Sequence, residues 1–245
     1  MAPHAESDFS MSAPSTAPSS YTPQTFIPPP TQPSYRGYDH VAWYVGNAKQ
    51  AATYYISRLG FSLVAYKDLS TGSRTTASYV VRNGDVTFLL TSPLRSPSAA
   101  ETLEAETELQ QIYDHLQKHG DAVIDVAFEV DDVEAVYEAA IQAGAVSVHN
   151  VIKEKDEDGY VVRAAIRTYG DTIHTLISRS NYNGSFSPGF KAPKETIDPL
   201  NLLLPPVALS RIDHCVGNQD WNEMSSVCEL YVLFYFCKVA VTNRL

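Results

Sequence analysis

Cysteine is scarce in this chain of 245 residues. The three that occur, Cys215, Cys228 and Cys237, lie in the last part of the sequence, and none forms a C-x-x-C pair. Everything before Arg211 must therefore fold without disulfides, which points to a reducing compartment. Runs of positive charge are also missing. A net charge of −10 without any Lys/Arg cluster argues against nucleic acid and acidic membranes as partners. No apolar stretch approaches the roughly 20 residues that span a bilayer. The first 35 residues contain neither an apolar signal core nor any Lys or Arg, so neither a secretory nor a mitochondrial presequence is expected. A cytoplasmic location follows as the expectation, and Asn183-Gly-Ser185 is a glycosylation sequon in form only. The G-x-G-x-x-G, P-loop, G-x-S-x-G and H-E-x-x-H signatures are all lacking, which removes several enzyme classes at once.

What is present begins with a tail. Residues 1–34 are rich in Pro, Ser and Thr, with Pro28, Pro29 and Pro30 in a row. Such a segment buries too little apolar surface to offset its ordering entropy, and it is read as disordered. From Tyr35 the pattern changes. Asp39 to Val45 reads as a strand, and a helix is predicted over Ala48–Leu59 between a capping Asn47 and a terminating Gly60. Strand-like stretches follow at Ser62–Asp68, Thr75–Arg82 and Val86–Ser92, with Asn83-Gly84 as a hairpin signal.

The same order then recurs. Ala122–Val130 reads as a strand, and Asp131 with Glu134 forms a capping box. Val133, Val136, Tyr137, Ala140 and Ile141 fall on one helical face before Gly144. Strands are predicted at Val148–Glu154, Tyr160–Arg167 and Ile173–Ser178, with Asp158-Gly159 as the second hairpin turn. The cap-to-glycine distance is thirteen residues in both copies. Residues 36–95 and 121–180 thus form two βαβββ modules, joined by a helix within Glu101–His119. The expected fold class is α+β, with the two sheets packed side by side around a shared cleft in one domain, residues 35–180.

Residues 181–209 read as a Pro/Gly-rich linker carrying an apolar Leu202–Leu204 patch. A third copy then begins: Arg211-Ile-Asp-His-Cys-Val216 is similar to Tyr38-Asp-His-Val-Ala-Trp43, and Asp220 with Glu223 repeats the capping box. Trp221, Met224 and Val227 give the apolar stripe. Residues 210–229 are expected to open a second domain. Thirteen residues past Asp220 stands Leu233 instead of glycine, and 230–245 reads as an aberrant, aggregation-prone tail.

His214 is the residue with chemistry to offer. Neutral imidazole ligates divalent metals, but a two-histidine, one-carboxylate site needs three protein ligands. His40 holds the matching place in the first module and Val126 in the second, while the last strand of that module carries His174 and no carboxylate. His40 is therefore expected to be a buried, hydrogen-bonded core residue. Asp85, Asp121, Asp125, Asp131 and Asp132 read as scattered, and residues 154–158 as a solvated charged turn.

The stretch Tyr38-Asp-His-Val-Ala-Trp-Tyr-Val-Gly-Asn47, the strand His174-Thr-Leu-Ile-Ser-Arg179, the linker Ser180-Asn-Tyr-Asn-Gly-Ser-Phe-Ser-Pro-Gly-Phe190 and Arg211-Ile-Asp-His-Cys-Val-Gly-Asn218 together resemble the 4-hydroxyphenylpyruvate dioxygenase family. The resemblance runs from about Tyr35 to Glu229. It implies the vicinal oxygen chelate fold, a structural first domain, and a second domain holding non-haem Fe(II) through two histidines and a glutamate. It makes His214 the first of those ligands. It also implies 4-hydroxyphenylpyruvate and O₂ as substrates, homogentisate and CO₂ as products, a place in tyrosine degradation, and self-association. By the same resemblance the other two ligands lie beyond this chain, which is expected to be cut short within the second domain, to retain no iron and to be inactive alone. Two alternatives stand beside this: a non-catalytic fragment that pairs with full-length subunits, and a small metal-dependent enzyme built on the first domain, against which the missing carboxylate speaks.

Overall fold

The computed structural model describes residues 35–168, 170–194, 199–218, 221–225, 227–228 and 231. Expectations for the tail before residue 35, for Asp220 and for Leu233 lie outside these. Eight strands and three α-helices are built here: β1 (Tyr35–Tyr44), α1 (Ala48–Leu59), β2 (Ser62–Lys67), β3 (Thr76–Asn83), β4 (Val86–Pro93), α2 (Leu103–His119), β5 (Ala122–Val130), α3 (Val133–Gln142), β6 (Val146–Asp156), β7 (Gly159–Arg167) and β8 (Ile173–Tyr182). Short 3₁₀ turns stand at Leu69–Thr71, Pro97–Ala99 and Pro199–Leu202.

Local chemistry sets the helix ends. The Asn47 side chain accepts from the Gln50 amide, and Gly60 closes α1 in the left-handed conformation. The Thr102 side chain caps α2, which carries Glu104 and Glu106 in its first turn and Lys118 and His119 in its last, each sign matching the helix dipole. The cap of α3 is Asp132, not the expected Asp131: Asp132 accepts from the Ala135 amide, while Asp131 takes the Arg36 guanidinium. With two adjacent aspartates available, a partner from β1 decides which one caps.

The strands form one eight-stranded sheet in the order β2-β3-β4-β1-β5-β8-β7-β6. The two expected βαβββ modules are its two halves. In each, the first strand pairs in parallel with the last, β1 with β4 and β5 with β8. The halves meet through the antiparallel pair β1–β5, where His40 faces Ala127 and Val41 faces Val126. Helices α1 and α3 each cover their own half of one sheet face. Ala48 and Ala52 of α1 pack with Val45, Phe61, Tyr79, Val81 and Leu90. Val133 and Val136 of α3 pack with Val130, Ala164 and Leu176.

Both hairpins turn one residue away from expectation. Asn83 pairs with Val86, leaving Gly84 and Asp85 as the turn, with Gly84 at φ +58°. Glycine at the first turn position suits a II′ geometry, in place of the Asn-Gly I′ turn. A Cβ on Gly84 would stand 2.1 Å from the Leu209 carbonyl oxygen, so close backbone approach also requires glycine there. In the second hairpin Asp156 pairs with Gly159, and the turn is Glu157-Asp158. The strand β8 runs on to Tyr182, taking the first two residues assigned to the linker.

Several described residues after β8 pack along the sheet. Lys191 and Tyr66 exchange backbone hydrogen bonds of 2.9 and 3.0 Å at the β2 edge. The Asn201 amide donates to the Phe61 carbonyl at 3.1 Å. Asn83 then clamps residues 207–209, donating to the Val207 carbonyl (2.9 Å) and accepting from the Leu209 amide (3.3 Å). The Asp85 amide donates to the Ser210 carbonyl at 2.8 Å. Arg211 to Val216, expected as a strand, pairs with none among the described residues. Ile212 packs on the α1 core and the Cys215 amide donates to the Tyr38 hydroxyl at 3.2 Å, so the segment is tethered without a ladder. A strand needs a neighbour for its backbone groups, and none is offered to it here.

Candidate functional site

The sheet face opposite α1 and α3 holds the polar centre. Alternation along the strands puts Ala65, Val80 and Leu89 on this face, and Phe186 and Phe190 of the linker pack against them. His40 is 5% exposed, and its ring meets Phe186 edge-on at 5.2 Å between centroids. The Nδ1 of His40 hydrogen-bonds Asp39 Oδ1 at 2.5 Å. Asp39 also takes both arms of Arg179, Nη2 to Oδ1 at 2.7 Å and Nε to Oδ2 at 3.1 Å. The remaining terminal nitrogen of Arg179 donates to the Phe186 carbonyl (2.6 Å) and the Ser187 hydroxyl (2.9 Å). Its guanidinium lies 4.4 Å from the centre of the Phe186 ring. One cation thus ties β1, β8 and the linker together.

The charge balance is sound. Burial by itself raises the Asp39 carboxyl, but the hydrogen bond from His40 and the charges of His40 and Arg179 outweigh it and hold the group well below the usual carboxylate range. Asp125, expected as one of several scattered acids, is instead buried on the same face. It accepts from the Thr175 amide at 2.9 Å and the Thr175 hydroxyl at 2.5 Å. Burial raises its carboxyl despite those bonds and the nearby His40.

His174 does not join this centre. It points to the helix-covered face, where its ring meets Phe128 and Tyr231. Its Nδ1 lies 2.9 Å from the Val126 carbonyl, which can only accept. The proton therefore sits on Nδ1, and Nε2 accepts from the Tyr231 hydroxyl at 2.9 Å. Burial lowers its pKa to about 4. Tyr231 also packs beside Ala140, Ala145 and Ile166, so this residue of the expected aberrant tail is docked on the second module. A cavity of about 400 Å³ lined by Trp43, Tyr54, Tyr55 and Asp121 lies on the helix side, apart from the Asp39 centre.

His214 is exposed, its side chain 69% accessible, and its Nδ1 lies 2.7 Å from Asp213 Oδ2. This repeats the Asp39–His40 pairing in an open setting. Among the described residues no group of three His, Cys, Asp or Glu side chains is placed to hold a metal ion. A complete three-ligand Fe(II) site of the kind the resemblance implies is therefore not assembled among the described residues. Cys215 and Cys228 are free thiols.

Two outcomes follow. Asp39→Ala leaves the part-buried Arg179 guanidinium without its carboxylate and should destabilise the fold by about 3 kcal/mol. Arg179→Ala should cost a similar amount, and the double variant clearly less than the sum. Urea unfolding of the four proteins reads this, and additive losses would show that the pair is not coupled. His174 has a folded pKa depressed from 6.5 to about 4. Its contribution is complete above pH 6.5, falls as the unfolded chain takes up the proton, and levels off below pH 4. The loss is on the order of 3 kcal/mol over that window. His174→Gln should flatten the decline between these limits, and an unchanged slope would count against a buried neutral imidazole.

Comparison with known proteins agrees with this architecture. Residues 37–171 match the family model described as the Glyoxalase/Bleomycin resistance protein/Dioxygenase superfamily. The chain is 58% identical over 207 residues to a 4-hydroxyphenylpyruvate dioxygenase of Coccidioides posadasii, covering 82% of this chain and 52% of that protein. It is 54% identical over 212 residues to the Aspergillus fumigatus protein of the same name, covering 83% and 53%. A solved mutant of 4-hydroxymandelate synthase from Streptomyces coelicolor shares the fold at a TM-score of 0.60 and 23% identity, over 83% of this chain and 53% of that one. The chain spans about half the length of the curated relatives it matches. It belongs to the Glyoxalase/Bleomycin resistance protein/Dioxygenase superfamily and, within it, to the sequence family of the 4-hydroxyphenylpyruvate dioxygenases.

Proposed function

We propose that this chain supplies the structural first domain and the first metal-ligating histidine of a 4-hydroxyphenylpyruvate dioxygenase. The reaction of such an enzyme converts 4-hydroxyphenylpyruvate and O₂ to homogentisate and CO₂ in tyrosine degradation. The high identity to proteins of that name carries the reading. The local geometry of His214 supports it. Asp213 engages Nδ1 and leaves Nε2 as the free ligand nitrogen, the usual way a carboxylate orients a metal-binding imidazole. Fe(II) in such an enzyme binds the 2-oxo acid and activates O₂, which needs three fixed protein ligands and open positions. His214 is one ligand, so no step of that chemistry is assigned to this chain alone.

The first domain is a scaffold in this reading. Its polar centre is consumed by the Asp39–Arg179 pair and covered by Phe186, and no three-ligand donor set stands among the described residues. A cytoplasmic setting accords with the free thiols and with the lack, among the described residues, of any helix long and apolar enough to cross a membrane. A second reading, a non-catalytic fragment pairing with full-length subunits, draws on the exposed Leu202, Leu203, Val216 and Trp221. Co-purification with an intact family subunit separates it from the first.

The purified chain, supplied with Fe(II), ascorbate, 4-hydroxyphenylpyruvate and O₂, should form homogentisate no faster than a protein-free control. Turnover above that control, lost in His214→Ala, would show that a complete centre exists in this chain.

A further inference from the structure

Two Asn-Gly pairs occur in the described region, and the fold treats them in opposite ways. The Asn83 side chain is held by three hydrogen bonds: its amide donates to the Leu59 and Val207 carbonyls, both at 2.9 Å, and its oxygen accepts from the Leu209 amide at 3.3 Å. Asn183 lies in the turn after β8 and is exposed, and among the described residues its side chain makes no hydrogen bond. Its own backbone amide is anchored to the Asp158 carbonyl at 3.0 Å. The backbone N–H of Gly184 is likewise uncommitted among the described residues.

We infer that Asn183 is a site of spontaneous deamidation and isoaspartate formation in the folded protein, and that Asn83 is protected from it. The chemistry needs only water. The Gly184 amide nitrogen attacks Cγ of Asn183, the C–N bond of the side-chain amide breaks, and ammonia leaves with the proton from the attacking nitrogen. The resulting succinimide takes up one water. Opening at one carbonyl gives aspartate, and opening at the other gives isoaspartate, which carries an extra methylene in the main chain. Glycine is the favourable follower because no Cβ hinders the attack. A free amide can swing onto its neighbour's nitrogen, whereas Asn83 must first give up its bonds to Leu59, Val207 and Leu209.

The position gives the modification a structural consequence. Asn183 lies between Arg179 and Phe186, the two ends of the link that holds the linker over His40. The product adds a negative charge close to Asp158, whose carbonyl receives the Asn183 amide, and isoaspartate lengthens the backbone inside that link.

Incubation of the folded chain for days in mildly alkaline buffer, followed by peptide mapping, tests this. The peptide with Asn183 should gain the small mass that replaces an amide by a carboxylate, and should split into aspartate and isoaspartate forms. The Asn83 peptide should convert at least roughly tenfold more slowly, the factor expected when more than one neutral hydrogen bond must break first. In concentrated urea the two rates should converge. Equal rates in the folded chain, or faster conversion at Asn83, would overturn the inference. So would a rate difference that persists in urea, because the protection would then not come from the fold.

Discussion

Asp39 and Arg179 meet across 140 residues of sequence, and the arrangement of the sheet face depends on that ion pair. Asp39 stands on the first strand of one module and Arg179 on the last strand of the other. Both arms of the guanidinium are used on the carboxylate and a third nitrogen on the linker, a geometry that lysine could not reproduce. Burying two charges is costly unless each finds partners. Here His40 and the Phe186 carbonyl complete the set, so the charges are satisfied from within. Phe186 and Phe190 then cover a face that would otherwise expose apolar residues of β2, β3 and β4.

This chain fills that sheet face with its own linker. From there the linker crosses to the β2 edge, turns past Asn201 and is clamped at the β3–β4 hairpin before reaching the His214 region. The close approach at Gly84 is part of the same path. The domain therefore sets where the exposed Asp213–His214 segment begins.

Much of the fold was legible in the sequence because local rules and tertiary packing agreed. The duplicated cap-strand-helix-hairpin order gave the two modules, and the ends of α1 and β5 fall where capping and apolar pattern put them. The misses have specific causes. Asp131 and Asp132 are equivalent as caps until Arg36 claims one of them. Both hairpins moved by one residue because strand pairing, not the favoured turn dipeptide, fixed the register. Arg211 to Val216 has the composition of a strand and no partner to pair with among the described residues. Arg179 was invisible as a functional side chain, since nothing local in its sequence points to Asp39. The repeated Asp-His pair was the available signal: the same two residues are largely buried with a cation at 39–40 and exposed, without one among the described residues, at 213–214.

The central claim is that the polar centre around Asp39 and His40 is satisfied internally and that His214 has no companion ligands among the described residues. Calorimetric titration of the purified protein with Fe(II), and with Co(II) as a spectroscopic substitute, tests it most directly. The account predicts no saturable binding at one metal per chain and no change on replacing His40 or His214 by alanine. Tight one-to-one binding that either substitution abolishes would contradict it.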